Sequence, residues 1–289
     1  MRKFIISTDT TADLPMDFIT EHHISVHPLH YLIDDKEYGM ELGELSAHDF
    51  YETMRNGKMP TTNATNLGYD IELMEREVAA GNDILHLSFS SDMSTSYNNA
   101  RLAAEEVLKN HPKATIHVID SLNATCGLNV LIRKLVSMQE QGRSLEECRE
   151  WVEKTLPHTV CNFTLPDLFH MWRGGRLKKS SAILGTALKI QPVLHINNHG
   201  ALEPTKKVRG RAAAVRGLHE NLATLCEKGH KPDLVCITHG DCPEEAEALA
   251  DTIRSTYGIE QVYITYLSPT LGSHSGPGTL TLGYIGDQK

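Results

Sequence analysis

Asp83-Ile-Leu-His-Leu-Ser-Phe-Ser-Ser-Asp-Met-Ser-Thr-Ser-Tyr-Asn-Asn99 passes from an apolar run into a hydroxyl-rich loop and then into helical spacing. Asp83–Phe89 is short and apolar enough for a buried strand, and Ser94–Lys109 has the periodicity of a helix. A strand feeding a loop into a helix N-terminus is the repeating unit of α/β proteins. The free N–H groups and the dipole of the helix favour an anion at that point. Ser94 is read as the N-cap or a first-turn residue. Five serines plus Thr95 within Ser88–Ser96 exceed what one cap requires, so the segment is read as a ligand loop.

Working outward, Lys3–Ser7 reads as a strand followed by a polar loop, Thr8–Asp13, and Pro15 suits the first turn of a short helix. Ile24–Ile33 looks extended. Helices are expected from Ser46 through Arg55, over Leu67–Ala80 with Gly81 ending it, and over Cys126–Gln141 with Gly142 closing it. Thr115–Ile119 is a strand, and Ser144 with Glu147 forms a capping box. Beyond residue 157 the pattern changes. Val193–Ile196 and Ala201–Val208 flank a hairpin turn at Asn197–Gly200, a long helix covers Ala212–Lys228, and strands Leu234–His239 and Gln261–Tyr266 enclose another helix. The reading is an α/β protein in two parts, 1–157 and 158–289, divided near Pro157.

The chain has 289 residues, with 28 basic against 37 acidic side chains, a net charge of −9 and 40% apolar residues. That composition excludes disorder and fibrous repeats. No apolar run reaches the roughly 18–20 residues a membrane span needs. The start, MRKFIISTDT, turns polar too soon for a secretory signal, so a cytoplasmic setting is expected. The acidity argues against nucleic acid as the partner. Charge is unevenly spread, however. Met171–Gly217 holds ten basic residues against Glu203 alone, a net +9 that leaves −18 elsewhere. Such a window is either a solvated face or a docking surface for phosphate or an acidic partner.

Cys126, Cys148, Cys161, Cys226, Cys236 and Cys242 include no CxxC pair, which signals reduced thiols rather than zinc or a redox motif. His27 with His30, and His195 with His199, are the pairs a metal would use. No HExxH occurs and no acidic third ligand stands close by, so no metal is expected. Three further stretches could carry chemistry. Pro60-Thr-Thr-Asn-Ala-Thr65 is a second hydroxyl-rich opening to a helix, with Thr65 as its cap by default. Gly272-Ser-His-Ser-Gly-Pro-Gly278 places His274 on a short lead before tight-turning glycines, where it could donate a hydrogen bond to a carboxylate or act as acid/base. In Asp167–Arg176, Gly174 and Gly175 would turn Arg173 and Arg176 into one region, and arginine suits carboxylate or phosphate. Neither a P-loop nor a GxSxG elbow is present. Hydroxyls, one histidine and arginines fit binding an anion better than turning it over. The alternative is an enzyme acting on a small carboxylate or phosphate, with Ser94 as nucleophile and His274 as acid/base.

Asp9-Thr-Thr-Ala-Asp-Leu-Pro15, Pro60-Thr-Thr62, Ser90-Ser-Asp-Met-Ser-Thr-Ser-Tyr97, Gly174-Gly-Arg176, Lys207-Val-Arg209 and Gly272-Ser-His-Ser-Gly-Pro-Gly278, in this order over nearly the whole chain, resemble the DegV family. The resemblance implies two α/β domains, a three-layer one with a parallel sheet and a second with a mixed sheet, and a long-chain fatty acid between them. It implies a lipid carrier that is not catalytic alone. Some members are the fatty-acid-binding subunit of bacterial fatty acid kinase and present the acyl carboxylate to a separate ATP-binding kinase subunit. By the same resemblance Thr62 and Ser94 bind the carboxylate, and His274 approaches it from the second domain. Arg173, Arg176 and Arg209 dock the kinase, and the bound acid stands in place of any cofactor. This chain departs from the family in two places: Thr-Ser-Gln-Pro is here Thr62-Asn-Ala-Thr65, and Ser-Gly-Thr is Ser94-Thr-Ser96.

Overall fold

Apolar runs short enough to be strands, alternating with amphipathic helices, assemble into three sheets in a computed structural model that describes residues 3–177 and 190–289. Lys178, Lys179 and Lys189 of the basic window lie outside the described residues. The order is β1 (Phe4–Asp9), a 3₁₀ turn (Thr10–Ala12), α1 (Met16–Glu21), β2 (Ser25–His27), β3 (Tyr31–Ile33), β4 (Lys36–Tyr38), α2 (Ala47–Arg55) and β5 (Thr61–Thr62). There follow α3 (Leu67–Ala79), β6 (Asp83–Ser88), α4 (Ser96–Asn110), β7 (Ile116–Asp120), α5 (Thr125–Glu140), α6 (Leu145–Thr155), β8 (Thr159–Thr164) and α7 (Phe169–Arg173). The remainder is β9 (Ile190–Ile196), β10 (Leu202–Arg209), α8 (Arg211–Glu227), β11 (Leu234–His239), α9 (Pro243–Tyr257), β12 (Gln261–Tyr266), α10 (Pro269–Ser275) and β13 (Leu280–Ile285).

The first sheet is parallel, in the order β2-β1-β6-β7. Successive side chains of a strand point to opposite faces. Ile84 therefore joins Met74, Val78, Ala103 and Val107 of α3 and α4 on one side, while Leu85 and Leu87 join Leu128, Leu131 and Val152 of α5 and α6 on the other. The second sheet is mixed, in the order β10-β9-β8-β13-β11-β12, parallel at β11–β12 and antiparallel elsewhere. One face packs Val160, Val235 and Ile237 against Leu218 and Leu222 of α8 and Leu249 and Ile253 of α9. The opposite face turns Cys161, Phe163 and Cys236 toward Cys126 and Val130 of α5. The expected α/β class, with one three-layer parallel-sheet unit and one mixed-sheet unit, is what the chain adopts.

Helix α5 is thus the layer that both sheets share. Asn129 Nδ2 donates to the carbonyls of Ala12 (3.0 Å) and Asp13 (3.1 Å), and Arg133 Nε donates to Asn129 Oδ1 at 2.8 Å. The Arg133 guanidinium stacks over Phe18 at 4.3 Å and over Tyr263 at 3.8 Å, which ties α1 to the far edge of the second sheet. Gly283 on β13 makes this close stacking possible. A Cβ there would come within 2.5 Å of the Cys126 carbonyl carbon.

Ile24–Ile33 is not one extended run. Pro28 has no N–H to continue a ladder, and the chain leaves the parallel sheet after β2 to form β3 in a small antiparallel sheet, β4-β3-β5. The capping box at Ser144 and Glu147 forms as read. Helix α4 begins at Ser96, two residues later than expected, and α3 is capped by Asn66 rather than Thr65. No helix among the described residues is long and apolar enough to cross a membrane.

Candidate functional site

Between the two sheets lies a cavity of about 820 Å³. Phe89 and Ala124 reach it from the first half and Cys161, Phe163, Ile196 and Leu202 from the second, with Leu29, Met171 and Leu271 completing apolar walls. Its polar lining includes Thr62, Ser94, Arg176 and His274, with Asp92, Asn197 and Glu203. Residues more than two hundred positions apart therefore share one chamber. Thr62 is held in β5 by pairing with Tyr31, and the next residue's N–H donates to the His30 carbonyl at 2.9 Å. Ser94 is fixed by its own N–H to the Ser90 carbonyl (3.2 Å), and its Oγ accepts the Ser96 N–H at 3.2 Å. His274 lies on α10, a helix the sequence reading took for a loop. Pro269 opens it, and Gly276 ends it at φ 79°, a conformation that favours glycine.

His274 Nε2 and Thr62 Oγ1 are 2.7 Å apart. The other ring nitrogen, Nδ1, is buried without a hydrogen-bond partner, and it sits so close to Gly174 that a Cβ on Gly174 would collide with it. An unpaired buried N–H is costlier than an unpaired imidazole lone pair in that tight contact, which assigns the proton to Nε2. Nε2–H then donates to Thr62 Oγ1, and the threonine hydroxyl hydrogen is free to be donated elsewhere. Burial, followed by the positive charges of Arg176, Arg173 and His170, holds the His274 imidazole down at about 4. It is neutral at pH 7. Between about pH 4 and 6.5 the unfolded chain holds the extra proton, so this histidine withdraws up to about 3 kcal/mol of stability as pH falls through that window. A carboxylate bound beside it would oppose the shift. A bound carboxylate is expected to raise the His274 pKa, followed by NMR titration of the ring; an unmoved titration would show that no carboxylate binds beside it.

Behind the polar boundary runs a network that the sequence reading missed. Ser94 Oγ and Ser96 Oγ are 2.9 Å apart, and Ser96 Oγ accepts the Thr65 N–H at 3.2 Å. Thr65 Oγ1 donates to Asp70 Oδ2 at 2.6 Å, and Asp70 Oδ1 pairs with His27 Nδ1 at 2.7 Å. Asn99 Nδ2 donates to the Thr65 carbonyl at 2.6 Å. Thr65, Asp70, His27 and Ser96 are all buried, so loop 62–65 is braced from behind against α4. Thr65 and Ser96 are among the positions where this chain departs from the usual motif, and here they bond to each other. The departures were visible in the sequence; the bond between them was not.

The three arginines occupy different situations. Arg173 is half-buried, and its Nη2 donates to the carbonyls of Pro60 (2.9 Å) and Ser273 (3.3 Å), bracing the strand of Thr62 against the helix of His274. Arg176 is exposed at the cavity, with Nε donating to the Met93 carbonyl at 3.2 Å. Arg209 is exposed at the end of β10. As a nucleophile Ser94 lacks its base: its hydroxyl partner is Ser96, while His274 is engaged by Thr62. Among the described residues no group of three or more His, Cys, Asp or Glu side chains could hold a metal ion. His27 pairs with Asp70, and His30 Nδ1 lies 3.1 Å from Glu37.

A parallel α/β unit and a mixed-sheet unit sharing a central helix, with a cavity between them lined by apolar side chains, hydroxyls, an imidazole and an arginine, define a two-part α/β protein. The chain belongs to the DegV family, whose model, described as "Uncharacterised protein, DegV family", matches residues 3–287. It is 36% identical over 290 residues to a DegV domain-containing protein of Clostridium perfringens, covering 100% of this chain and 99% of that one. Among solved structures it is similar to DegV of Bacillus subtilis, described as a fatty acid binding protein, with 26% identity, TM-score 0.87 and coverage of 99% and 100%. It is also similar to a DegV lipid binding protein of Thermotoga maritima, with 27% identity, TM-score 0.85 and 99% of each chain covered.

Proposed function

We propose that the protein is a fatty-acid carrier that buries a long acyl tail between its two halves, 1–157 and 158–289, and presents the carboxylate at Thr62, Ser94 and His274. The observation that carries this reading is the single chamber of about 820 Å³ that has Thr62, Ser94 and His274 in its lining beside apolar walls. The lipid-binding descriptions of the Bacillus subtilis and Thermotoga maritima relatives support it. Energetics assign the roles. Burial contributes about 0.8 kcal/mol per methylene, so a tail of about fourteen methylenes supplies roughly 11 kcal/mol before the costs of association. Hydrogen bonds to the charged head contribute about 1.5–3 kcal/mol each. The tail sets affinity; the head group sets orientation.

The carrier is not catalytic alone in this reading. It hands its acid to a separate ATP-dependent kinase in the cytoplasm. There a carboxylate oxygen forms the new bond to the γ-phosphorus, the bond to ADP breaks, and an acyl phosphate results. A neutral His274 suits this step, because it donates to the carboxylate through Thr62 without neutralising the nucleophile. Arg176 and Arg209, exposed, and Arg173 bracing the site behind them give the kinase a basic face to meet. Charge reversal at Arg209 is expected to raise the kinase's KM for the loaded carrier at least tenfold while lipid retention stays unchanged. Equal loss of both would count against docking there. The carrier itself is tested by denaturing extraction and lipid mass spectrometry of protein purified from cells. A stoichiometric long-chain acid is expected, and an empty protein that turns over a small carboxylate or phosphate would overturn the reading.

A further inference from the structure

A second cavity, of about 410 Å³, lies on the far side of Leu29 and Thr270, the two residues it shares with the first. Its ionisable lining is wholly acidic. Asp9, Asp13, Glu41 and Glu44 line it, and among the described residues no lysine, arginine or histidine does. Asp9 is already satisfied: Oδ1 accepts the N–H and hydroxyl of Thr11, and Oδ2 accepts the Phe89 N–H at 2.7 Å. Asp13 is not. Its residue is only 6% exposed, Oδ1 accepts the Ser268 N–H at 2.9 Å, and Oδ2 makes no hydrogen bond. Thr265 Oγ1 and Ser268 Oγ, on two other residues of the same lining, are buried without partners as well. Burial pushes the Asp13 carboxyl up to about 7, the direction expected of an acid that has no cation beside it.

Asp13 Oδ2, when ionised, can only accept, and the Thr265 and Ser268 hydroxyls can donate or accept; in an acidic chamber these unmet groups suit a positive donor, and a primary ammonium carries three N–H donors and no acceptor. The surroundings also specify what the ammonium is attached to. Leu14, Ile19, Leu45 and Ile264 line the cavity, and Met16, Leu42 and Tyr266 stand beside them 51%, 38% and 39% exposed. An apolar body fits there. We propose that this second cavity binds a primary alkylammonium or arylalkylammonium compound, with the charge on Asp13 and the apolar part against the exposed methionine and leucine. The site is separate from the fatty-acid reading of the first cavity and stands or falls without it.

Calorimetry with phenethylammonium chloride on the full chain, lipid-stripped and lipid-loaded, tests the assignment. One equivalent is expected to bind in both preparations, at least tenfold more tightly than 2-phenylethanol, which has the same body and no charge. Asp13→Asn is expected to weaken binding at least tenfold. Leu42→Lys, at the exposed edge, is expected to do the same by supplying its own ammonium, and it decides the matter if Asp13→Asn does not fold. Affinity equal to that of the alcohol, the mark of a chamber holding water alone, overturns the proposal. So does binding that survives both variants, or binding displaced by fatty acid, which would place the amine in the first cavity.

Discussion

Cys161→Phe is expected to cut affinity for long-chain acids by about a hundredfold while leaving shorter acids nearly untouched. Cys161 is fully buried on β8, lines the large cavity and lies 3.5 Å, sulfur to sulfur, from Cys126. A phenyl ring there must take space from the tail. Each excluded methylene costs about 0.8 kcal/mol, close to a factor of four in affinity, so loss of room for three or four of them gives the predicted drop. Overpacking adds about 1–3 kcal/mol of general destabilisation. That contribution lowers the melting temperature alike for every ligand and does not select among chain lengths. The measurement is affinity against acyl length for both proteins. Wild-type and variant curves that reach their plateau at the same length would show that the tail does not lie against β8.

His274→Ala is expected to reduce acyl-phosphate formation with a kinase partner by a hundredfold or more, while lipid affinity falls by less than about tenfold. The asymmetry follows from the division of energy. The imidazole touches Thr62 at 2.7 Å; in the proposed carrier it acts on the head group through that hydroxyl, so the tail's contribution is retained when the ring is removed. What is lost is the orientation of the attacking oxygen, and misplacement of a reacting group costs rate steeply. Removing the ring also leaves Gly174 facing a void in place of Nδ1. Single-turnover kinetics with preloaded carrier separates the two effects. Unchanged acyl-phosphate formation would refute the role.

The sequence carried the α/β alternation because parallel strands buried on both faces, such as Asp83–Ser88, stand out as apolar runs between amphipathic helices. It concealed β8 and β13. Asn162 interrupts the apolar pattern of β8, yet its amide donates to the Leu218 carbonyl at 3.0 Å on the helix-covered face. Gly283 reads as a break within β13, and what it accommodates is the N-terminal turn of α5 pressed against the strand. The glycines of 272–278 likewise suggested a loop, whereas only Gly276 and Gly278 take positive φ and the residues before them form α10. Thr62, Ser94 and His274 were legible as hydroxyl-rich or glycine-flanked segments. The contacts that hold them, Gly174 on His274, Arg173 on Pro60 and Ser273, and Thr65 on Asp70 and Ser96, join distant parts of the chain and leave no periodicity to read.

Helix α5 lends its side chains to the cores of both sheets, with Leu128 and Leu131 in one and Cys126 and Val130 in the other. A linker can hinge; a shared core cannot be parted without exposing both halves to water. The protein should therefore melt in one calorimetric step, with equal van't Hoff and calorimetric enthalpies, despite having two sheets. In the proposed carrier, exchange of an oily guest then proceeds by local yielding beside the chamber, while the bulk of the molecule keeps its shape.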